Sequence, residues 1–105
     1  MLQIDRARRE SLRWQILLVL YHCRENWTRE SQILVVIGDE IDNCGLNEMR
    51  QELSYLESKE LLEIDRRNTA GGVLWRAKIE GAGVDFVEYN SADLVGIARP
   101  AKYWE

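Results

Sequence analysis

Apolar positions recur every three to four residues through the first half of the chain and every second residue through a later stretch. That change of period predicts helices followed by a hairpin. Leu12, Ile16, Val19, Leu20 and Cys23 form one helical stripe, and Trp14, Leu17, Leu18 and Tyr21 fill a second face, which predicts a first helix over 5–24. A helix apolar on two faces either runs through the centre of the core or is shared with a partner chain. Glu25 to Arg29 reads as a polar connection around Trp27, and Ser31 suits the N-cap of a second helix reaching about Asp42. The run Ile33-Leu34-Val35-Val36-Ile37 would also suit a buried strand. Ile33, Ile37 and Ile41 continue a period of four past that run and favour helix. Asn43-Cys44-Gly45 supplies a turn, and Asn47 caps a third helix from Glu48 to about Lys59 with Met49, Leu53 and Leu56 on its inner side.

Near Leu61 the spacing switches to two. Leu62 and Ile64 point one way and Glu63 and Asp65 the other. After Asn68-Thr69-Ala70-Gly71-Gly72 the alternation resumes, with Val73, Trp75, Ala77 and Ile79 facing in and Leu74, Arg76 and Lys78 facing out. Two alternating runs joined by a glycine-rich tip predict a β-hairpin, whose inner face must pack on the helices to be stable. Val84 to Tyr89 predicts a short last helix, and the tail from Asn90 reads as irregular. The expected fold is α+β in a single domain over 1–105: a three-helix core, a two-stranded hairpin, a short C-terminal helix and an irregular tail over 90–105.

Composition narrows the class. The 105 residues are 46% hydrophobic and 30% charged, ordinary material for one globular domain. No run approaches the roughly eighteen apolar residues of a membrane span. The apolar stretch after the charged N-terminus is interrupted by Arg13 and Gln15 and has no small-residue cleavage site, so no signal peptide is expected. Cys23 and Cys44 alone make a poor disulfide scaffold and are expected as reduced thiols in a cytoplasmic protein. The net charge is −4, unevenly spread. Residues 1–24 set five arginines against Asp5 and Glu10, and residues 64–79 set Arg66, Arg67, Arg76 and Lys78 against Asp65. Residues 25–63 set ten acids against Arg29, Arg50 and Lys59.

The segment from Leu46 to Arg67, LNEMRQELSYLESKELLEIDRR, resembles the winged helix-turn-helix superfamily. There the recognition helix ends in a pattern such as L-x-x-L-x-x-x-G-L-[VI] and runs straight into the first wing strand. Leu53, Leu56, Leu61 and Leu62 fit this pattern, and Glu60 stands where the helix-ending glycine is usual. Ile79-Glu80-Gly81-Ala82-Gly83 resembles the L-T-x-x-G entry to the last helix, with Gly83 matching and Glu80 in place of threonine. More narrowly, DRARRESLRWQIL, ELSYLE and GIARPAKYW look like pieces of a family of small proteins of Mu-like bacteriophages and prophages. The second resemblance implies a phage or prophage origin rather than a mechanism.

No enzyme is expected. His22 is the only histidine, next to Cys23 in the apolar first helix, and with no second histidine and no Cys-x-x-Cys spacing neither a metal site nor a cofactor is predicted. The pairs Asp39/Glu40 and Glu48/Glu52 suit solvated helix faces, and Gly71-Gly72 suits a turn. The winged-helix resemblance implies double-stranded DNA as ligand, with the third helix in the major groove and the wing on the backbone. The candidate base readers are Arg50, Gln51, Ser54 and Tyr55, and the candidate phosphate contacts are Arg66, Arg67, Arg76 and Lys78, joined by Arg6, Arg8, Arg9 and Arg13. Against this stand Glu48, Glu52, Glu57, Glu60 and Glu63 around the third helix. The alternative expectation is a protein-interaction module whose acidic helices dock a basic phage or host partner. Trp14, Leu17, Leu18 and Tyr21, with Tyr103-Trp104, either complete the monomer's core or form a homodimer through helix one and the C-terminal segment.

Overall fold

The computed structural model describes residues 2–38 and 40–102, with residues 2–4 described as backbone only. The described residues form four α-helices and one three-stranded antiparallel sheet. In chain order these are α1 (Leu2–Cys23), β1 (Thr28–Arg29), α2 (Glu30–Ile37), α3 (Leu46–Ser58), β2 (Leu62–Thr69), β3 (Gly72–Ile79) and α4 (Gly81–Val87). The sheet order is β1-β3-β2.

α1 is the central element. It touches α2, α3, α4 and β3, which is why two of its faces are apolar. Leu12, Ile16, Leu17 and Leu20 are fully buried, and the Trp14 ring meets Phe86 of α4 edge-on at 6.1 Å. Trp14 and Leu17 therefore complete this chain's own core, leaving Leu18 and Tyr21 half-buried at its margin. The other half of the expected dimer surface, Tyr103 and Trp104, lies outside the described residues.

Several expected boundaries are corrected. The connection after α1 contains β1, whose Thr28 and Arg29 pair with Ala77 and Arg76 of β3. Two residues are too short to show a period of two. α2 starts at Glu30 with Arg29 as N-cap, not at Ser31, and ends at Ile37 rather than near Asp42. Ile41 is buried all the same, because the turn that follows donates the Ile41 N–H to the Ile37 carbonyl at 2.9 Å and folds the side chain back. That return mimics another helical turn in the sequence. α3 is capped by Gly45, two residues before Asn47.

The end of α3 explains the missing glycine. Glu60 itself adopts φ 62, the left-handed conformation that glycine supplies without strain. The Leu61 N–H then closes on the Leu56 carbonyl at 3.1 Å, the hydrogen bond of a Schellman cap. This delivers Leu61 and Leu62 into the core. The hairpin follows in unbroken register from Leu62↔Ile79 to Thr69↔Gly72. Its inward alternation holds at the base, where Ile64, Ala77 and Ile79 are buried, and fades at Val73, beyond the edge of the helical body. α4 begins at Gly81, three residues before the expected Val84.

The tail after Asn90 is irregular but tightly held. Ile97 is buried, and the Ala98 N–H reaches the Glu10 carbonyl at 3.1 Å. Arg99 donates to the Phe86 and Ser91 carbonyls at 3.0 and 3.1 Å. No helix of the described residues is long and apolar enough to cross a membrane.

Candidate functional site

The exposed side of α3 is set by which of its side chains the core does not claim. Met49, Leu53 and Leu56 are fully buried, so Asn47, Arg50, Gln51 and Ser54, at i, i+3, i+4 and i+7, share the opposite face. With Trp75 of β3 they line one open cleft between α3 and the hairpin. Arg50 is fixed within it. Its guanidinium gives Nε and Nη2 to the two carboxylate oxygens of Glu30, both at 2.7 Å, and Nη2 also meets the Val73 carbonyl at 2.9 Å. Glu30 is nearly fully buried and also accepts the Trp75 backbone N–H at 3.2 Å. The ion pair holds Arg50 above its ordinary pKa. Trp75 lies between two guanidiniums, with Arg66 at 4.4 Å and Arg50 at 5.0 Å from its ring centre.

Tyr55 does not join this face, which corrects its assignment as a base reader. One helical step of about 100° past Ser54 turns it toward α1 and the tail. There the Arg13 guanidinium lies 3.6 Å from its ring centre, and its hydroxyl donates to the Val95 carbonyl at 3.4 Å.

Three of the five acids around α3 are held in ion pairs, and Glu60 and Glu63 stay exposed past its end. Glu48 takes both Nε and Nη2 of Arg8, at 2.7 and 2.9 Å, and this pairing holds its carboxyl below the ordinary range. Glu52 is buried and accepts Arg13 Nε at 2.6 Å, while Arg13 Nη1 donates to the Gly96 carbonyl at 2.9 Å. Glu57 takes two hydrogen bonds from Arg66, at 2.9 and 3.2 Å. Arg8 and Arg13 thus serve to dock α1 on α3, and are not laid out as phosphate contacts.

The basic hairpin cluster divides between two faces. Arg66 shares the α3-facing side with Leu62 and Ile64, because residues two apart point the same way. Arg67, Arg76 and Lys78 lie on the reverse side with Asp65 and Glu63. Asp65 accepts Arg76 through Nε and Nη2, and Arg67 Nε at 2.7 Å. Those hydrogen bonds, Arg76's first, keep the Asp65 carboxyl below its ordinary range. The Arg76 and Lys78 charges also lie 5.4 and 5.9 Å from the Trp27 ring centre. The four residues expected to act as one phosphate-binding group therefore do not form one surface.

Two residues of the cleft are not among the candidates the sequence offers. Asn47 suits a helix cap, and its spacing of four from Gln51 is the signal that places it on this face. Trp75 suits the core, and counting back from the glycine tip places it opposite Arg66. Elsewhere, Glu57, Glu60, Glu63 and Glu80 line a second cleft at the base of the hairpin. His22 is exposed, and Cys23 and Cys44 are free thiols, with burial pushing the Cys44 pKa up. No cluster of three or more histidine, cysteine or acidic side chains among the described residues could hold a metal ion. No protein-family model matches the chain, and no characterised protein matches its sequence.

Proposed function

We propose that this protein is a winged-helix domain that binds double-stranded DNA, a non-catalytic cytoplasmic protein of phage or prophage origin acting in regulation or in handling phage DNA. The observation that carries this reading is the cleft between α3 and the hairpin, lined by no acid, where Asn47, Gln51 and Ser54 stand exposed or half-exposed beside Arg50. The element order helix, short strand, helix, helix, hairpin and the sheet order β1-β3-β2 also support it. Asn47 and Gln51 offer the paired donor and acceptor that match an adenine edge. Arg66 is the hairpin cation placed to meet a phosphate beside that face, by exchanging Glu57 for the phosphate. With so few uncommitted cations the affinity is modest and the salt slope shallow, about −3 for three phosphate contacts.

Fluorescence anisotropy with duplex DNA at low salt tests this. Binding at about 10 micromolar or tighter is expected. It should weaken in Arg66→Glu and Gln51→Ala but remain nearly unchanged in Lys78→Gln on the reverse face. No binding at ~100 micromolar, or binding indifferent to both Arg66→Glu and Gln51→Ala, refutes the reading.

A second reading draws on the cleft of Glu57, Glu60, Glu63 and Glu80. In it the same fold docks a basic phage or host protein. Salt-sensitive binding of a lysine-rich peptide, lost in Glu63→Lys with Glu80→Lys and accompanied by no DNA binding, would select it.

A further inference from the structure

The exposed side of α2 carries no charge. Glu30 is buried against Arg50, and the remaining surface is Ser31, Gln32, Val35 and Val36, with the two valines 78% and 58% exposed. A surface helix ordinarily turns charged residues to water, and this chain has 30% of them to use. The apolar strip does not stop at α2. Val36 also lines a groove with Leu18, Val19 and Cys23 of α1, edged by Gln15 and His22, and so borders both depressions. A patch of adjoining apolar side chains without charge marks an interaction surface.

The ends of α2 indicate what covers it. Arg29, exposed at the N-cap, faces Arg76 across the strand pair and has no ion-pair partner among the described residues. Glu40, exposed just past the C-terminal end, has none among them either. Eight residues of helix span about 12 Å, so a positive and a negative charge flank a neutral apolar strip. In a twofold contact the same patch appears on both sides. A charge near its centre would meet its own copy, and this centre has none. Laid antiparallel, each α2 brings its Arg29 to Glu40 of the partner subunit, whereas a parallel arrangement would set arginine against arginine.

We infer that the protein self-associates as a twofold dimer through α2 packed antiparallel on its copy, with Val35 and Val36 at the centre and two Arg29–Glu40 pairs at the rim. This surface differs from the helix-one and C-terminal surface expected from the sequence, and it stands whether or not the protein binds DNA.

Sedimentation equilibrium of the full chain from low to high micromolar concentration tests it. A monomer–dimer equilibrium is expected. Val36→Asp should leave the circular dichroism spectrum intact and abolish the dimer. Arg29→Glu and Glu40→Arg should each weaken association about tenfold, since each places two like-charge contacts at the rim. The two changes together should restore it to within about threefold. A chain that stays monomeric overturns the inference. So does a dimer that tolerates Val36→Asp, or one in which the double charge exchange fails to rescue the single changes.

Discussion

Glu30 is the buried charge on which the α2–α3–β3 junction depends, and its replacement has a calculable cost. Its side chain is 5% exposed and receives three hydrogen bonds, two from Arg50 and one from the Trp75 backbone. Glu30→Gln keeps the shape but leaves one acceptor oxygen where two stood, so its amide hydrogens must meet at least one donor. One charge-assisted bond is lost, worth about 1.5–3 kcal/mol. The Arg50 charge also loses its counter-charge, although water reaches a guanidinium that is 24% exposed and limits that cost. We expect about 2–3 kcal/mol of destabilisation, or a Tm lower by about 10 °C. Arg50→Met should cost more, about 3–5 kcal/mol, because it strands a carboxylate that water cannot reach. The pair Glu30→Leu with Arg50→Met removes both charges and should lose less than Arg50→Met alone, since what remains is the Trp75 N–H without its acceptor and the Val73 carbonyl, of an exposed residue, without its Arg50 donor. Urea unfolding followed by circular dichroism, run as a double-mutant cycle, measures all of this. Single changes each below about 1 kcal/mol and simply additive would refute the argument. Under the proposed function, Glu30→Gln has a second consequence of opposite sign. It frees Arg50 and removes a negative charge behind the cleft, so DNA affinity should rise severalfold, at temperatures where the variant is folded, while stability falls.

Glu60→Gly should stabilise the protein by about 0.5–1 kcal/mol, since it relieves a left-handed φ at the end of α3; a lower urea midpoint would contradict the cap assignment. Gly83→Ala should destabilise by about 3 kcal/mol or more, because a Cβ there would overlap the Leu61 carbonyl oxygen and stand 2.7 Å from Ile79 Cγ1; thermal melts report it. Glu48 and Asp65 have carboxyls held below their ordinary range, so their contribution is complete above about pH 5 and is lost as pH falls through their lower folded values. The urea midpoint should therefore be flat from about pH 7 to 5 and fall below about pH 4, less steeply in Glu48→Gln with Asp65→Asn.

The hairpin was legible because its period is carried by buried residues, Leu62, Ile64, Ala77 and Ile79, which keep strict alternation wherever helices lie beneath them. The helix ends were less so. Ile41 obeys the spacing of α2 from a turn, and the caps at Gly45 and Arg29 are backbone events to which neighbouring Asn47 and Ser31 only look better suited. The functional surface was the least legible part, for a reason that particular arginines make plain. Arg66 and Arg67 are adjacent in sequence and lie on opposite faces of β2, so summing charge over residues 64–79 combines the two faces of the hairpin. Alternation, carried two residues past Ile64, would have separated them. Nothing local could have paired Arg13 with Glu52 or Arg8 with Glu48, about forty residues apart, since those partners meet only once α1 lies on α3. The same pairing that engages Arg8, Arg13 and Arg66 also engages three glutamates of α3, Glu48, Glu52 and Glu57. A segment that looks too acidic for DNA therefore presents an almost neutral helix face, and a segment that looks basic presents a hairpin already answered by Glu57 and Asp65. Under the proposed function, electrostatic recognition turns on which ion pairs a ligand can exchange. That is why Arg66, whose pair with Glu57 is well exposed to solvent, and not the more deeply held Arg50, is the cation on which DNA affinity should depend.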